Sequence, residues 1–315
     1  MNDKTTISYY ELTKLVPDKM AALRLLERKR WGTSGRICPF CGHRHSCARG
    51  GTRAGYYRCC RCHKEFTVRT ASIFERSHIP LDKWILAIYM MVTARKGISS
   101  LQLSKELSIR QNSAWFMMHR IRSSMGERGN AFLQGIVERD ETCIGGKESN
   151  KHKRKRLKSG RGSIGKSAVV GIRRRKGRGF AKVVPNTKMQ TFRPMMYKTV
   201  LLGSVVNTDD FREYDGLSEQ YQYKTVNHSA KLFVDAMACT NGIESVWAVL
   251  NRGRYGIFHQ FSLKHLQRYV DEFAFRLNEG SCKIPTLERM DALFNGAWNR
   301  HLDYSSLVGR GELNE

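Results

Sequence analysis

The chain has 315 residues and a formal net charge of +27, with 55 Lys and Arg against 28 Asp and Glu. This length predicts two or three domains, and the charge favours nucleic acid as partner over a merely solubilising role. Residues 1–10 lack a secretory pattern, and no run approaches the roughly 18 apolar residues of a membrane helix, so we expect a cytoplasmic protein.

The first predicted elements are a helix over residues 18–28 and a metal site behind it. Two C-x-x-C turns lie 17 residues apart, which is typical of a tetrahedral zinc site with four thiolates. Alternating aromatic and basic residues at 56–58 and 64–69 predict strands that face a phosphate backbone. Buried cysteines without metal are the alternative, and Cys47 and Cys60 remain as unliganded thiols. The predicted zinc ligands are Cys38, Cys41, Cys59 and Cys62.

The next segment is predicted to be helical. Apolar periodicity indicates helices over 81–94, 101–107 and 111–123, and the short break at 108–110 is typical of a helix-turn-helix. The second helix of that motif enters the major groove of DNA. An ordinary helical bundle with a polar outer face is the alternative. The predicted exposed residues of this helix are Gln111, Asn112, Ser113, His119 and Arg120.

From Ala131 the composition changes to short β-rich runs followed by amphipathic helices. Three strands, a helix, a fourth strand and further helices predict a ribonuclease-H-like mixed sheet, in which the first and fourth strands are neighbours. The predicted strands are 132–139, 168–174, 179–185 and 204–207, and the predicted helices are 187–198, 241–251 and 263–278.

Three acids stand where this core would bring side chains together. Asp140 and Asp209 follow the first and fourth strands, and Glu244 lies on the helix beyond them. We predict that they bind two Mg²⁺ or Mn²⁺ ions, which act together on a phosphodiester. Each acid also has a structural interpretation. Asp140 can be a loop carboxylate, Asp209 a turn or helix cap, and Glu244 the partner of Asn241 in a capping box.

A basic insertion, residues 147–167, separates the first two strands. A block of like charges repels itself and binds phosphate readily, although a solvated loop is the alternative. Residues 160–167 match the P-loop pattern, but a β-rich run follows where that motif needs a helix, so we do not predict a nucleotide site. The predicted DNA contacts in the insertion are Lys151, Lys153, Arg154, Lys155 and Arg156.

These motifs together resemble the zinc-ribbon DDE transposases of bacterial insertion sequences, the ISXO-like group related to Merlin elements. The resemblance covers nearly the whole chain. It rests on Cys-Pro-Phe-Cys-Gly at 38–42, the blocks at 66–70, 77–81 and 84–89, Val-Glu-Arg-Asp-Glu-Thr at 137–142 with Gly-Gly-Lys at 145–147, Val-Asn-His-Ser at 226–229, Thr-Asn-Gly-Ile-Glu-Ser at 240–245, and residues 265–273.

The resemblance implies that Asp140, Asp209 and Glu244 form a catalytic, metal-binding triad. It also implies cleavage at the terminal inverted repeats of a transposon, followed by strand transfer. The sequence departs from the group at Asn251, where a DNA-contacting Lys is usual and Arg252 stands beside it, and at Cys239, where His is common. In some members an Asn is the third catalytic residue, so Asn241 can share that role.

The complete prediction is a multidomain α/β protein with an N-terminal zinc ribbon and helix-turn-helix before a ribonuclease-H-like catalytic core. We expect structural Zn²⁺, two catalytic Mg²⁺ or Mn²⁺ ions, double-stranded DNA as both transposon end and target, at least a dimer on DNA, and association with the bacterial nucleoid. An inactive DNA-binding regulator and a cellular ribonuclease-H-like nuclease are the alternatives. The predicted regions are a helical segment 1–34, the ribbon 35–75, the helical DNA-binding region 76–128, the catalytic domain 129–300 and a tail 301–315.

Overall fold

The computed structural model describes residues 6–126, 132–146, 152–156, 165–208, 220–225, 240–259 and 261–309. The chain divides into two compact units. The first combines residues 1–126 with residues 279–315, and the second consists of residues 127–278. The second unit is therefore inserted between two segments of the first.

This division differs from the predicted boundaries, which assigned residues up to 300 to the catalytic domain. The C-terminal segment instead bonds to the N-terminal helices and loops. Arg289 Nη1 donates to the carbonyl oxygen of Val92 at 2.8 Å, and the backbone N–H of Asn299 donates to the carbonyl oxygen of Ala71 at 2.8 Å. A linear pattern of strands and helices does not reveal such a return of the chain.

The first unit contains a small antiparallel sheet and seven helices among its described residues. The sheet has the order β1-β2-β3, with β1 at Ser46–Ala48, β2 at Tyr56–Cys59 and β3 at Glu65–Thr67. The helices are α1 (Tyr9–Leu15), α2 (Lys19–Trp31), α3 (Leu81–Thr93), α4 (Ser100–Glu106), α5 (Gln111–Met125), α9 (Thr286–Asn295) and α10 (Tyr304–Val308).

Helix α3 is the centre of this unit because it is apolar on most of its surface. Eight of its residues are buried, and Trp84 packs edge to face against Phe74 with ring centroids 5.1 Å apart. Helices α4 and α5 pack against each other after a turn in which Ser108 has a φ of 47°. Ser99 caps α4 by accepting from the N–H of Gln102 at 3.1 Å. The two predicted helices are thus present and adjacent.

The second unit is a five-stranded mixed sheet with helices. The strands lie in the order β6-β5-β4-β7-β8; β5 is antiparallel to β4 and β6, whereas β7 is parallel to β4 and β8. The predicted contact between the first and fourth strands is confirmed. The elements are β4 (Ile136–Ile144), β5 (Ser167–Arg174), β6 (Gly179–Val184), α6 (Met189–Thr199), β7 (Val205–Thr208), β8 (Gln222–Thr225), α7 (Asn241–Gly253) and α8 (Leu266–Leu277).

Residues of strand β4 contribute to two hydrophobic cores, one on each face of the sheet. Val137 packs with Phe192 and Met196 of α6, whereas Ile144 packs with residues of α7 and α8. The predicted end of this strand at residue 139 is wrong, because pairing with β5 continues to Ile144 opposite Ser167. Asp140 therefore lies in the middle of the strand and not after it.

Strand β5 begins at Ser167, so a strand follows the P-loop-like residues, as expected. Within the described ranges, no helix is both long and apolar enough to cross a membrane.

Candidate metal sites and nucleic-acid interface

The structure brings the four predicted zinc ligands together. The sulfur atoms of Cys38, Cys41, Cys59 and Cys62 all lie within 4.8 Å of one another. The Sγ atoms of Cys38 and Cys62 are 3.7 Å apart, and those of Cys41 and Cys59 are 3.6 Å apart. Four thiolates at about 2.3 Å from one tetrahedral zinc ion lie about 3.8 Å from each other. The donor set and its spacing therefore fit one structural zinc ion.

Two tight turns present these thiols. The N–H of Gly42 donates to the carbonyl oxygen of Cys38 at 2.9 Å, and the N–H of His63 donates to that of Cys59 at 3.1 Å. Gly42 and His63 both have positive φ, 71° and 58°. The backbone N–H groups of Cys62 and Arg61 lower the pKa of Cys59 to about 6. They favour the thiolate form, which is the form that binds zinc.

The three predicted acids, Asp140, Asp209 and Glu244, define what we call the acidic site, and the first of them lies on β4. Trp247 Nε1 on α7 donates to Asp140 Oδ2 at 2.9 Å, and the N–H of Glu141 donates to Asp140 Oδ1 at 2.7 Å. Asp140 therefore lies on the face of β4 that α7 covers, with both carboxylate oxygens oriented by N–H donors.

A buried acid two residues earlier holds the first turn of the same helix. Glu138 is 2% exposed, and its Oε2 accepts from the N–H of Ile243 at 2.9 Å while its Oε1 lies 3.4 Å from Nε of Arg175. A negative charge at a helix N-terminus is favourable because it faces unpaired N–H groups. A Cβ on Gly242 would collide with the Glu138 carboxylate, so this close approach requires glycine.

Arg173 on β5 fixes the same turn from the other side. Its Nη1 donates to the carbonyl oxygen of Gly242 at 2.6 Å and to Ser245 Oγ at 2.9 Å. Glu138 and Arg173 form what we call the first-turn clamp. Sequence reasoning missed both residues. Each is a charged side chain at a strand position that the alternation pattern directs toward the core, and this was the signal that could have identified it.

Gly171 allows α7 to reach the sheet. This residue is paired with Asp140 across β4 and β5. A Cβ at this position would lie 2.7 Å from Ile243 Cδ1 and 2.7 Å from the ring of Trp247. The missing side chain makes room for the indole that bonds to Asp140.

Glu244 is exposed on the first turn of α7, one turn before Trp247. Thr240 Oγ1 donates to Glu244 Oε1 at 3.0 Å. The capping-box interpretation requires Asn241 as N-cap. It is wrong, because Thr240 is the N-cap and Asn241 is the first helical residue. The structure thus brings Asp140 and the turn that carries Glu244 together.

Asp209 lies outside the described residues, as does Cys239. The last described residue of β7 is Thr208, and Asn207 is level with Glu138 across the parallel pair β4–β7. Within the described ranges, the four ribbon thiols are the one group of three or more His, Cys, Asp or Glu side chains close enough to share an ion.

The predicted DNA contacts differ in their surroundings. Gln111 and Asn112 are exposed at the start of α5, Arg252 is exposed on α7, and Asn251 beside it is half-buried. In the basic insertion, Lys153, Arg154 and Arg156 are exposed around a short 3₁₀ turn. Lys151 and the side chain of Lys155 lie outside the described residues.

The predicted exposure of His119 and Arg120 is wrong. Arg120 is 4% exposed, and it donates to the carbonyl oxygens of Leu302 at 3.1 Å and Glu75 at 2.7 Å. His119 is fully buried against Trp115, with ring centroids 4.5 Å apart. The returning C-terminal segment bonds to this part of α5, which the sequence pattern had left facing solvent.

Comparison with known proteins identifies the family. Residues 132–278 match the model of the ISXO2-like transposase domain, and residues 17–65 match that of the transposase zinc-ribbon domain. A protein in transposable element ISH50 of Halobacterium salinarum is 29% identical over 237 residues, which cover 71% of this chain and 79% of the relative. A transposase-like protein of Haemophilus influenzae is 30% identical over 105 residues, 33% of this chain and 84% of the relative.

These matches define a class of protein that joins a zinc ribbon to a transposase domain. The chain belongs to the ISXO2-like transposase family. The predicted resemblance is confirmed, and membership of this family implies DNA as the partner.

Proposed function

We propose that the protein is a DNA transposase that binds the terminal inverted repeats of an insertion sequence, cleaves DNA at them and transfers the freed strand. The proposed catalytic residues are Asp140, Asp209 and Glu244. One observation carries this proposal: the hydrogen bond from Trp247 to Asp140, which holds the N-terminal half of α7, and with it Glu244, over β4.

Two further observations support the set. The sheet order β6-β5-β4-β7-β8, with β7 parallel to β4, is the order expected of a ribonuclease-H-like core. Glu138 is level with Asn207, and Asp209 follows Asn207 by two residues just as Asp140 follows Glu138. Period-two alternation in strands supports Asp209 as the second carboxylate.

The chemistry follows from the donor set. Carboxylate oxygens are the ligands that Mg²⁺ and Mn²⁺ prefer. Two such ions would lower the pKa of a bound water and stabilise the leaving oxygen of the phosphodiester. The residues themselves position the reacting groups: Trp247 and the N–H of Glu141 fix the carboxylate of Asp140, and the first-turn clamp fixes the turn that carries Glu244.

Exposed cations and amides supply the proposed DNA contacts. Lys153, Arg154 and Arg156 would bind phosphate without reading sequence, and Arg252 would bind it near Glu244 on α7. Gln111 and Asn112, at the start of the second helix of the proposed helix-turn-helix, would read base edges. Asn241 and Asn251 are proposed as auxiliary residues of the acidic site. Because two ends must be cut together, we propose at least a dimer on DNA.

The test compares wild-type protein with Asp140→Asn on DNA that carries the element's end, with Mg²⁺ and with a chelator. We expect nicking at the end by the wild type only with metal, and at least about a 10³-fold loss in the variant with DNA binding retained. Glu288→Gln, which neutralises an exposed acid on α9, is the matched control and should nick normally.

Other outcomes identify the alternatives. Specific DNA binding without any nicking by the wild type indicates a regulator, whereas metal-independent nicking would contradict the proposed metal-binding role of the acids. Cleavage of hybrid or branched substrates without any need for the end sequence indicates a cellular nuclease. Unchanged nicking by Asp140→Asn would refute the assignment of Asp140.

A further inference from the structure

The outer face of the zinc ribbon carries a second pair of cysteines. The Sγ atoms of Cys47 and Cys60 lie 3.6 Å apart, and both residues are exposed. The pair lies outside the four-thiol zinc group.

The sheet explains why this pair is separate from the zinc ligands. Along β2, side chains alternate between the interior and the solvent: Tyr57 and Cys59 are buried, whereas Tyr56 and Arg58 are exposed. Cys60 continues this alternation and is exposed, while the neighbouring Cys59 belongs to the zinc group. The side chains of the adjacent Cys59 and Cys60 therefore lie on opposite faces of the ribbon sheet.

Backbone pairing holds the two outer thiols in register. Cys47 on β1 is paired with Arg58 on β2, and the N–H of Cys60 donates to the carbonyl oxygen of His45 at 3.1 Å. Cys47 and Cys60 are therefore diagonal neighbours on one face of an antiparallel pair, a relation in which side chains reach each other.

We propose that Cys47 and Cys60 form a reversible intramolecular disulfide when the protein meets a two-electron thiol oxidant such as hydrogen peroxide, while the four zinc thiolates stay on the metal. A disulfide needs the two sulfur atoms to approach to about 2.05 Å. The two exposed sulfur atoms are already 3.6 Å apart, so bond formation needs an approach of about 1.5 Å, and exposure gives the oxidant access. Zinc-bound thiolates lack the freedom to make such an approach.

The reaction balances in two steps. The Cys47 or Cys60 thiol attacks one oxygen of the peroxide, the O–O bond breaks, and a sulfenic acid and water result. The other thiol then attacks the sulfenic sulfur, the S–O bond breaks, and the disulfide forms with release of a second water. The pair loses two electrons and two protons in total, and a thiol reductant reverses the change.

The bridge would tie β1 to the end of β2, beside the zinc ligands Cys59 and Cys62. Closing this loop restricts the open forms of the ribbon, from which zinc escapes. Oxidation at the outer pair should therefore slow zinc release several-fold.

The experiment treats the zinc-loaded full chain with a stoichiometric amount of hydrogen peroxide. We expect non-reducing peptide mapping to find one cross-link, between Cys47 and Cys60, that disappears on reduction. Zinc content should stay at one ion per chain, and transfer of zinc to a chromogenic chelator should become several-fold slower.

Three variants control this result. Cys47→Ser and Cys60→Ser should each retain zinc, lose the cross-link and show no slowing of zinc transfer after peroxide. Cys282→Ser, which removes an exposed thiol outside the ribbon, should behave like the wild type. A cross-link that includes Cys38, Cys41, Cys59 or Cys62, zinc loss on oxidation, the absence of a Cys47–Cys60 cross-link, or unchanged zinc transfer would each overturn the proposal. Peptide mapping of the wild type decides even if a variant fails to fold.

Discussion

The zinc ribbon and the acidic site gather their ligands in different ways. In the ribbon, Cys38 and Cys62 are 24 residues apart, and two tight turns joined by a small sheet set the geometry of the thiols. In the acidic site, Asp140 and Trp247 are 107 residues apart, and their contact depends on the docking of α7 onto the sheet. The ribbon therefore depends on local backbone geometry and metal, whereas the acidic site depends on packing between distant segments.

Removing a zinc ligand should have the largest effect on the first unit. Cys59→Ser should lose zinc and the folded ribbon, since a structural zinc contributes about 10 kcal/mol or more in small zinc domains. Zinc content and circular dichroism measure this loss. Because backbone N–H groups lower the pKa of the Cys59 thiol to about 6, its thiolate persists at neutral pH, and acidification well below pH 6 should release zinc from the wild type as protons compete with the metal. Retention of zinc by Cys59→Ser would contradict the ligand assignment.

Removing the acid of the first-turn clamp should weaken only the second unit. Glu138→Ala takes the acceptor from the N–H of Ile243 and the partner from Arg175, and we expect a loss of about 3 kcal/mol in the free energy of unfolding. Denaturant unfolding measures it, and zinc content should not change. An equal loss of zinc would show that the two sites are not independent.

Filling the space under α7 should have a smaller effect on stability and a clear effect on nicking. Gly171→Ala places a methyl group 2.7 Å from Trp247, and such overpacking costs about 2 kcal/mol. Displacement of the indole removes the donor to Asp140. The nicking rate should therefore fall by a larger factor than the loss of folded protein can explain. Gly256→Ala is the matched control because a Cβ there meets open space. Equal nicking rates for the two variants would argue against a positioning role for Trp247.

An exposed ion pair in the ribbon should contribute least. Glu65 bonds to Arg53 at 2.5 Å and to Arg49 at 3.0 Å, with its side chain 33% exposed. Glu65→Gln should leave the free energy of unfolding nearly unchanged in denaturant unfolding, because solvent screens exposed ion pairs. A loss as large as that of Glu138→Ala would mean that the difference in solvent exposure does not determine how much each acid contributes to stability.

The sequence alone predicted the features that depend on short residue spacings or on the order of the elements. The four zinc ligands follow from two local turns, and the neighbouring first and fourth strands follow from the order of elements. The first-turn clamp and Gly171 were missed because their roles arise only when α7 lies on β4 and β5. The predicted exposure of Arg120 was wrong, and the predicted boundary at residue 300 differs from the two compact units, for a related reason: residues 299 and 302 bond to Ala71 and Arg120 of the N-terminal segment.

The discontinuous first unit has a consequence for biosynthesis. Arg120 and Val92 are translated long before their partners Leu302 and Arg289. These hydrogen bonds therefore form only after the inserted unit has been synthesised and residue 302 has emerged from the ribosome. A chain truncated before residue 289 would leave α3 and α5 without these contacts, so α3 and α5 acquire them only after the inserted unit has been synthesised.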